Sequence, residues 1–389
     1  MFKSLWSLDP QIKYLNHGAF GATPISVLEY QQKIRKKLER EPAHFFQYEY
    51  EILLDQSRNQ LAQFLTTEPE NLVFVTNATT GVNTVLKSLT FAPDQEILIT
   101  NHTYNACRNT LEYLVERSGV KINLVCLELP IEASTISERI LAQVSPKTKL
   151  VMLDHITSPS ALIFPLAEII AQLNQQGIET LIDGAHAPGA IKLNLSALGA
   201  TYYTGNCHKW LCSPKGAGFL YVVPEKQHLI RPLIISHGAN SPRRDRSRFQ
   251  LEFDWQGTLD PSPYLAVQKS LDFMDSLLPG GWEQLRARNH QLIVQARQIL
   301  LDTLKLSPPC MEEMLGSMAA LPLGRTLGNE QLLQQQLFKE YHLEVPIFPW
   351  TDPKTSIVRI SAQIYNELEE YIYLAEVLKR LLFPVKLLK

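Results

Sequence analysis

Between Asn71 and Val223, short apolar runs alternate with segments of helical period: Leu72-Val73-Phe74-Val75, Ile97-Leu98-Ile99, Ile122 to Cys126, Leu150 to Leu153, Thr180 to Ile182, Tyr202-Tyr203 and Phe219 to Val222. Runs that are apolar at successive positions are buried on both faces, as a parallel sheet with helices on either side demands. Most of the intervening segments are long enough for a crossover helix. The pattern predicts an α/β fold with a mostly parallel central sheet covered by helices. In such open sheets ligands sit beyond the carboxyl ends of the strands, so the residues that follow each run are the first place to look for chemistry.

Outside this stretch the pattern changes. Ile25 to Thr66 reads as one or two amphipathic helices broken at Pro42. After Asp260-Pro261-Ser262-Pro263 a helix is expected to about Leu278, another from Trp282 to Leu304, and then shorter α and β pieces, which together predict a smaller α+β domain. Ile357-Val358-Arg359-Ile360-Ser361 alternates as a half-exposed strand, with Val358 and Ile360 on one side and Arg359 and Ser361 presented on the other. Asn366 and Glu369 pair as an N-terminal cap for a helix striped by Leu368, Tyr371, Ile372, Ala375 and Leu378. The expected organisation is an N-terminal segment 1–24 packed on the small domain, a large domain 25–262 and a small C-terminal domain 263–389.

Length and composition narrow the possibilities. A chain of 389 residues with 45% hydrophobic and 20% charged positions is an ordinary two-domain globular protein. A net charge of -2 lacks the basic excess that a phosphate backbone requires, so nucleic acid is not an expected partner. No stretch reaches the length of a membrane span, and Met1 to Pro10 lacks the apolar core of a secretory signal. Cys107, Cys126, Cys207, Cys212 and Cys310 are odd in number and show no CxxC spacing, which argues against a disulfide framework or a metal site and for a reducing cytoplasm.

Two strand ends carry the chemistry. Asp183 follows Leu181-Ile182, and Lys209 lies in Tyr203-Thr204-Gly205-Asn206-Cys207-His208-Lys209-Trp210 just past another apolar strand. Pyridoxal 5'-phosphate needs this pair of side chains. A lysine holds its aldehyde covalently, and a carboxylate keeps its pyridine nitrogen protonated so that the ring withdraws electrons. Val75-Thr76-Asn77-Ala78-Thr79-Thr80-Gly81 follows the first sheet strand and opens a helix, where free N–H groups and the dipole attract a phosphate; Ala78, Thr79 and Thr80 are the candidate donors. Arg359 has the planar fork that grips a carboxylate with two parallel hydrogen bonds.

Together, Tyr14-Leu15-Asn16-His17-Gly18, Ala78-Thr79-Thr80, Asp183-Gly184-Ala185-His186, His208-Lys209 with Pro214-Lys215-Gly216, and Arg359 resemble the class V aminotransferase family, of PLP fold type I, over nearly the whole chain. Within it, Asp183 to Gly189, His102-Thr103-Tyr104-Asn105-Ala106 and Trp255 to Asp260 look most like isopenicillin N epimerase-like proteins. The resemblance implies that Lys209 bears the cofactor and Asp183 pairs with its ring nitrogen. His186 lies near the phenolic oxygen, where related cysteine desulfurases have glutamine. His208 and Thr79 hold the phosphate, with Asn206 beside them. It places His102 or Tyr104 as the ring stacked on the cofactor, His102 favoured. Asn16, His17 and Arg359 become substrate-binding, and Thr258 reaches the phosphate of a neighbouring subunit, which implies a homodimer. Where many relatives have an asparagine against the cofactor, this chain has Ser158 or Thr157.

The implied activity is that of a PLP-dependent enzyme acting at the α-carbon of an amino acid, epimerase-like, with a C–S lyase or an aminotransferase as alternatives. A persulfide relay is not expected, because Phe348 to Thr355 contains no cysteine. A non-catalytic PLP-binding sensor is disfavoured by the lack of a recognisable helix-turn-helix or basic extension. A nicotinamide enzyme is disfavoured by the lack of GxGxxG after the early strands. His44, Phe45 and Phe46 read as aromatic core more readily than as a substrate entrance.

Overall fold

The computed structural model of the protein describes residues 2–350 and 355–383, so part of the segment Phe348 to Thr355 lies outside the described residues. A two-residue strand, β1 (Lys13–Tyr14), precedes the central sheet of β2 (Leu72–Val75), β3 (Glu96–Thr100), β4 (Lys121–Val125), β5 (Thr148–Asp154), β6 (Glu179–Asp183), β7 (Tyr202–Asn206) and β8 (Gly218–Val222). The sheet order is β2-β8-β7-β6-β5-β3-β4. Each strand coincides with one of the apolar runs, and alternate residues divide between two cores. Val73, Ile97, Leu150, Leu181 and Tyr202 face one, while Phe74, Leu98, Val151, Ile182 and Tyr203 face the other. Burial on both faces is why the inner runs show no polar alternation; β4, at the sheet edge, is half-exposed and carries Lys121 and Asn123 among its apolar residues.

One strand departs from parallel pairing. β8 runs antiparallel to both β2 and β7. Crossing back over the sheet requires a dozen or more residues, usually a helix. The segment from Cys207 to Ala217 contains none, and the chain returns beside the strand it has just left. That return carries Lys209 directly past the carboxyl ends of β6 and β7.

A second sheet, in the order β11-β12-β9, consists of β9 (Met318–Pro322), β11 (Ile347–Pro349) and β12 (Ser356–Ser361), all antiparallel. A short strand β10 (Leu343–Glu344) pairs in parallel with β1, tying the N-terminal segment to this layer. Here the expected half-exposed strand is corrected, since every residue of β12 is buried. β12 is the middle strand, and the helix Gly281–Leu304 covers one side of the sheet. Its polar side is covered by the N-terminal segment: the Ser361 amide donates to the Leu15 carbonyl and the Ser361 hydroxyl accepts from the Gly18 amide.

Other boundaries shift for local reasons. The expected capping pair moves one residue along, to Glu367 and Glu370, ahead of the helix Leu368–Leu382. Asn366 is engaged elsewhere, donating to the Tyr14 carbonyl and accepting from the Gln363 amide. The segment after Asp260 forms two helices, Ser262–Leu265 and Val267–Asp275, not one to Leu278. Both pack on the early helices Ile25–Arg40 and Tyr50–Leu65.

Candidate active site

β5, β6 and β7 end side by side in Asp154, Asp183 and Asn206, and these three line a cavity of about 240 Å³ together with Asn77, Ala78, Thr79, Tyr104, Ser158, Ala185, His186, His208, Lys209, Ala19 and Phe20. Larger surface clefts lie beside Trp6 and Glu344 and beside Gln63 and Asn194, but neither combines a strand-end carboxylate with an enclosed lysine amine. The cavity is distinguished by its chemistry, not its size.

The Lys209 amine lies 3.0 Å from His186 Nε2. Burial, with Arg359's charge adding to it, lowers the amine to about 7, despite opposing attraction from Asp183 and Asp154. His186 is buried, and burial together with Lys209 holds it well below the usual histidine range, so its ring is neutral. Its Nδ1 has no hydrogen-bond partner among the described residues. Behind the lysine, His17 Nε2–H donates to the Lys209 carbonyl at 3.0 Å, which leaves His17 Nδ1 to accept the Tyr365 hydroxyl at 2.6 Å. Gly21, at φ +67, closes the same wall. A Cβ there would stand 2.0 Å from the His208 carbonyl oxygen.

Asp183 is 3% exposed. Burial raises its pKa, opposed by the Ala185 amide, which donates to Oδ1 at 2.9 Å, and by the Cys107 thiol, which donates to Oδ2 at 3.3 Å. Asp154 is its register partner on β5 and is equally buried. The sequence reading did not single out Asp154 or Cys107. Asp154 had the same signal as Asp183, an acid ending a buried apolar run, whereas Cys107 is brought in by the helix Asn105–Ser118 and has no sequence signature.

Of the three expected helix-end donors, two are engaged. The Ala78 amide donates to Asn206 Oδ1 at 2.8 Å, and the Thr80 amide donates to its own N-cap, Asn77 Oδ1, at 2.9 Å. Only the Thr79 amide of this trio has no acceptor among the described residues. Asn206 therefore clamps the helix start to β7. His208 Nδ1–H donates to the Ala217 carbonyl at 3.2 Å, which turns Nε2 outward. Burial, then Lys209, lowers this imidazole to about 4.

Arg359 is 2% exposed, contrary to the expected presentation at a strand surface. Its Nη1 donates to the Ser158 carbonyl at 2.7 Å and its Nη2 to Asn16 Oδ1 at 3.3 Å, while Nε has no partner among the described residues and the guanidinium lies over the Phe348 ring. Burial lowers it to about 10, which leaves it charged at neutral pH. A buried cation whose hydrogen bonds go to neutral oxygens is costly; of its partners Ser158 lines the cavity, while Arg359 itself stands behind it.

Several expected site residues do not line the cavity. His102 does not line the cavity: its Nδ1 lies 2.6 Å from Ser160 Oγ, its Nε2–H donates to the Leu127 carbonyl, and Trp350 packs against its ring edge. Tyr104, two residues on, is the ring at the cavity. His17 has both nitrogens committed and stands behind Lys209, so it has no atom free for substrate. Thr80, as above, spends its amide on Asn77. Thr258 is exposed and away from the cavity in this chain. Phe45 is buried in an aromatic cluster with Phe46, Tyr50 and Trp255, away from the strand ends.

The groups present fit pyridoxal 5'-phosphate. An enclosed amine meets an aldehyde, a buried carboxylate meets a ring nitrogen, the orphaned His186 ring offers a polar atom, and a free helix-start amide meets a phosphate. A lysine and a carboxylate at the strand ends of this largely parallel sheet, with a small antiparallel layer beside it, define a PLP enzyme of fold type I. Comparison gives the family. A model of aminotransferase class V matches residues 14–325, and the chain belongs to that family.

The chain is 34% identical to an isopenicillin N epimerase of Streptomyces clavuligerus, over 96% of each chain. It is 28% identical to a probable chloroplastic L-cysteine desulfhydrase of Arabidopsis thaliana, covering 93% of this chain and 81% of that one. Among solved structures, the cystine C–S lyase C-DES with its product cysteine persulfide superposes with a TM-score of 0.80 at 23% identity, over 97% of this chain and 99% of the other. Among the described residues no helix is long and apolar enough to cross a membrane.

Proposed function

We propose that this PLP-dependent enzyme removes the Cα proton of an amino acid and returns it on the opposite face, an isopenicillin N epimerase-like reaction. The observation that carries the reading is the Lys209 amine, enclosed at the cavity and lowered to about 7, so that a large share is free base at neutral pH. When bound, pyridoxal 5'-phosphate supplies a ring that stabilises negative charge at Cα. Asp183 holds a proton at the ring nitrogen, and the Thr79 amide donates to the phosphate, whose charge would draw a proton onto the neighbouring His208 Nε2. Arg359, with Asn16 and Ser158, orients the substrate carboxylate. Lys209 takes the proton. Tyr104 follows β3 whereas Lys209 follows β7, with β5 and β6 between them in the sheet, so the two groups approach from different sides.

The test is solvent-deuterium exchange at Cα with a panel of L-amino acids and cysteine conjugates. Exchange with inversion supports the reading. No exchange with any substrate, combined with an absorbance change on adding amino acid, would replace catalysis with ligand sensing. A second reading, C–S lyase, is favoured by the likeness to a cysteine desulfhydrase and needs only Lys209, because a leaving group at Cβ departs without a second acid; pyruvate release identifies it. Keto-acid formation would instead identify transamination.

The working unit in this proposal is a homodimer. Exposed Leu233, Ile234 and Ile235, at 43%, 59% and 56% of their surface, and exposed Thr258 are what a second copy would cover. Light scattering measures this. A cytoplasmic setting accords with five free cysteines, four of them buried.

A further inference from the structure

The paired strand ends of β5 and β6 place two carboxyl groups where one suffices. Asp154 and Asp183 are register partners on adjoining parallel strands, both are 3% exposed, and both line the cavity. Their surroundings are unequal. Asp183 accepts from the Ala185 amide and the Cys107 thiol, one donor to each oxygen. The Asp154 carboxyl accepts from the Tyr104 amide and its own, but its Oδ2 is buried with no hydrogen-bond partner among the described residues. Two neighbouring carboxylates in a low-dielectric site do not both ionise, and the proton stays on the one whose charge is less well solvated.

We infer that Asp154 is carried protonated beside an ionised Asp183, so that the pair holds a single proton and Asp183 alone presents negative charge to the ring nitrogen of the cofactor. Asp154 is a positioning residue in this account: by staying neutral it leaves Asp183 as the one negative charge beside the ring nitrogen. The groups facing it agree. Asp183 on β6 opposes its ionisation, and burial opposes it more. Lys209 and the Tyr104 amide favour ionisation without overcoming these, so the Asp154 carboxyl is held well above the usual range. Cys107, on the helix Asn105–Ser118, donates to Asp183. His155, next along β5, is turned to the Tyr203 hydroxyl at 2.9 Å and takes no part.

The inference rests on the PLP reading, and its test separates the two. Infrared difference spectra between H2O and D2O are recorded at neutral pH on apoprotein and holoenzyme. The expected result is a protonated-carboxyl band in the wild type that is lost in Asp154→Asn. Asp154→Glu, which keeps the acid, shifts the band, so the assignment does not depend on one variant folding. The second readout is the visible pH titration of the lysine-linked cofactor. Asp154→Asn is expected to leave its midpoint in place, because a neutral group replaces a neutral group. Loss of an ionised Asp154 would instead move it by about one unit or more. A wild type with no band attributable to residue 154, or a midpoint displaced in Asp154→Asn, overturns the inference. Failure to form any visible chromophore overturns the cofactor reading, while the apoprotein band still decides the protonation state.

Discussion

Lys209 Nζ and His186 Nε2 meet at 3.0 Å, joining the turn after β7 to the turn after β6. His186 cannot be protonated there, so it accepts from the lysine when the lysine is charged and leaves the free amine undisturbed when it is not. Glutamine supplies a neutral polar group of similar reach and alanine supplies none. His186→Gln is expected to retain the visible cofactor band and most of the exchange rate. His186→Ala is expected to lose roughly tenfold to hundredfold in rate, the worth of about 1–3 kcal/mol for an unsatisfied buried partner. Rates of Cα deuterium exchange measure both, and equal rates in the two variants would remove His186 from the site.

The lowered pKa of Lys209 gives a pH dependence. The amine must be neutral to attack an aldehyde, so capture of pyridoxal 5'-phosphate by the apoprotein is expected to accelerate as pH rises through about 7 and then level off. Stopped-flow absorbance follows this directly. A midpoint near the value of an ordinary lysine would show that the amine is not enclosed. Lys209→Ala should yield no borohydride-trappable cofactor at any pH.

Arg359 is expected to act in binding. Arg359→Lys keeps the charge but loses the fork, and should raise KM for the amino acid by roughly tenfold to hundredfold with a smaller change in kcat, corresponding to about 1.5–3 kcal/mol for a hydrogen bond to a charged group. Steady-state kinetics separates the two parameters. An unchanged KM would mean that the buried guanidinium only braces Asn16 and Ser158.

His102 and Tyr104 should divide structure from chemistry. His102→Ala breaks two buried hydrogen bonds and is expected to lower stability by about 1–3 kcal/mol in denaturant titration while leaving the stereochemical outcome alone. Tyr104→Phe keeps the ring and removes the hydroxyl. It is expected to leave Cα exchange measurable and to slow inversion. The reverse pattern would return His102 to the active site.

How much of this was readable beforehand follows from what each residue's surroundings depend on. Strands β2 to β8 were legible because burial on both faces leaves a local mark, an unbroken apolar run. Asp183 and Lys209 were legible because each ends or follows such a run. β12 was misjudged as half-exposed because alternation of Val358 and Ile360 with Arg359 and Ser361 records which side is polar, not whether something covers it. His102 was favoured over Tyr104 although both follow β3, and the structure turns His102 instead to Ser160 and the Leu127 carbonyl, which lie elsewhere in the chain. The same holds for Ala78, whose amide looks free in sequence until Asn206 takes it, whereas Thr80 is capped locally by Asn77.

The sequence by itself determined the α/β class, the strands and the lysine and carboxylate on which the cofactor chemistry depends, since hydrophobic periodicity and strand-end position are properties of adjacent residues. Only the tertiary structure decided that β8 reverses, that Arg359 is buried, and that Asp154 stands beside Asp183. Hydrogen bonds and burial between segments from different parts of the chain are settled by how the layers pack, and no local pattern encodes them.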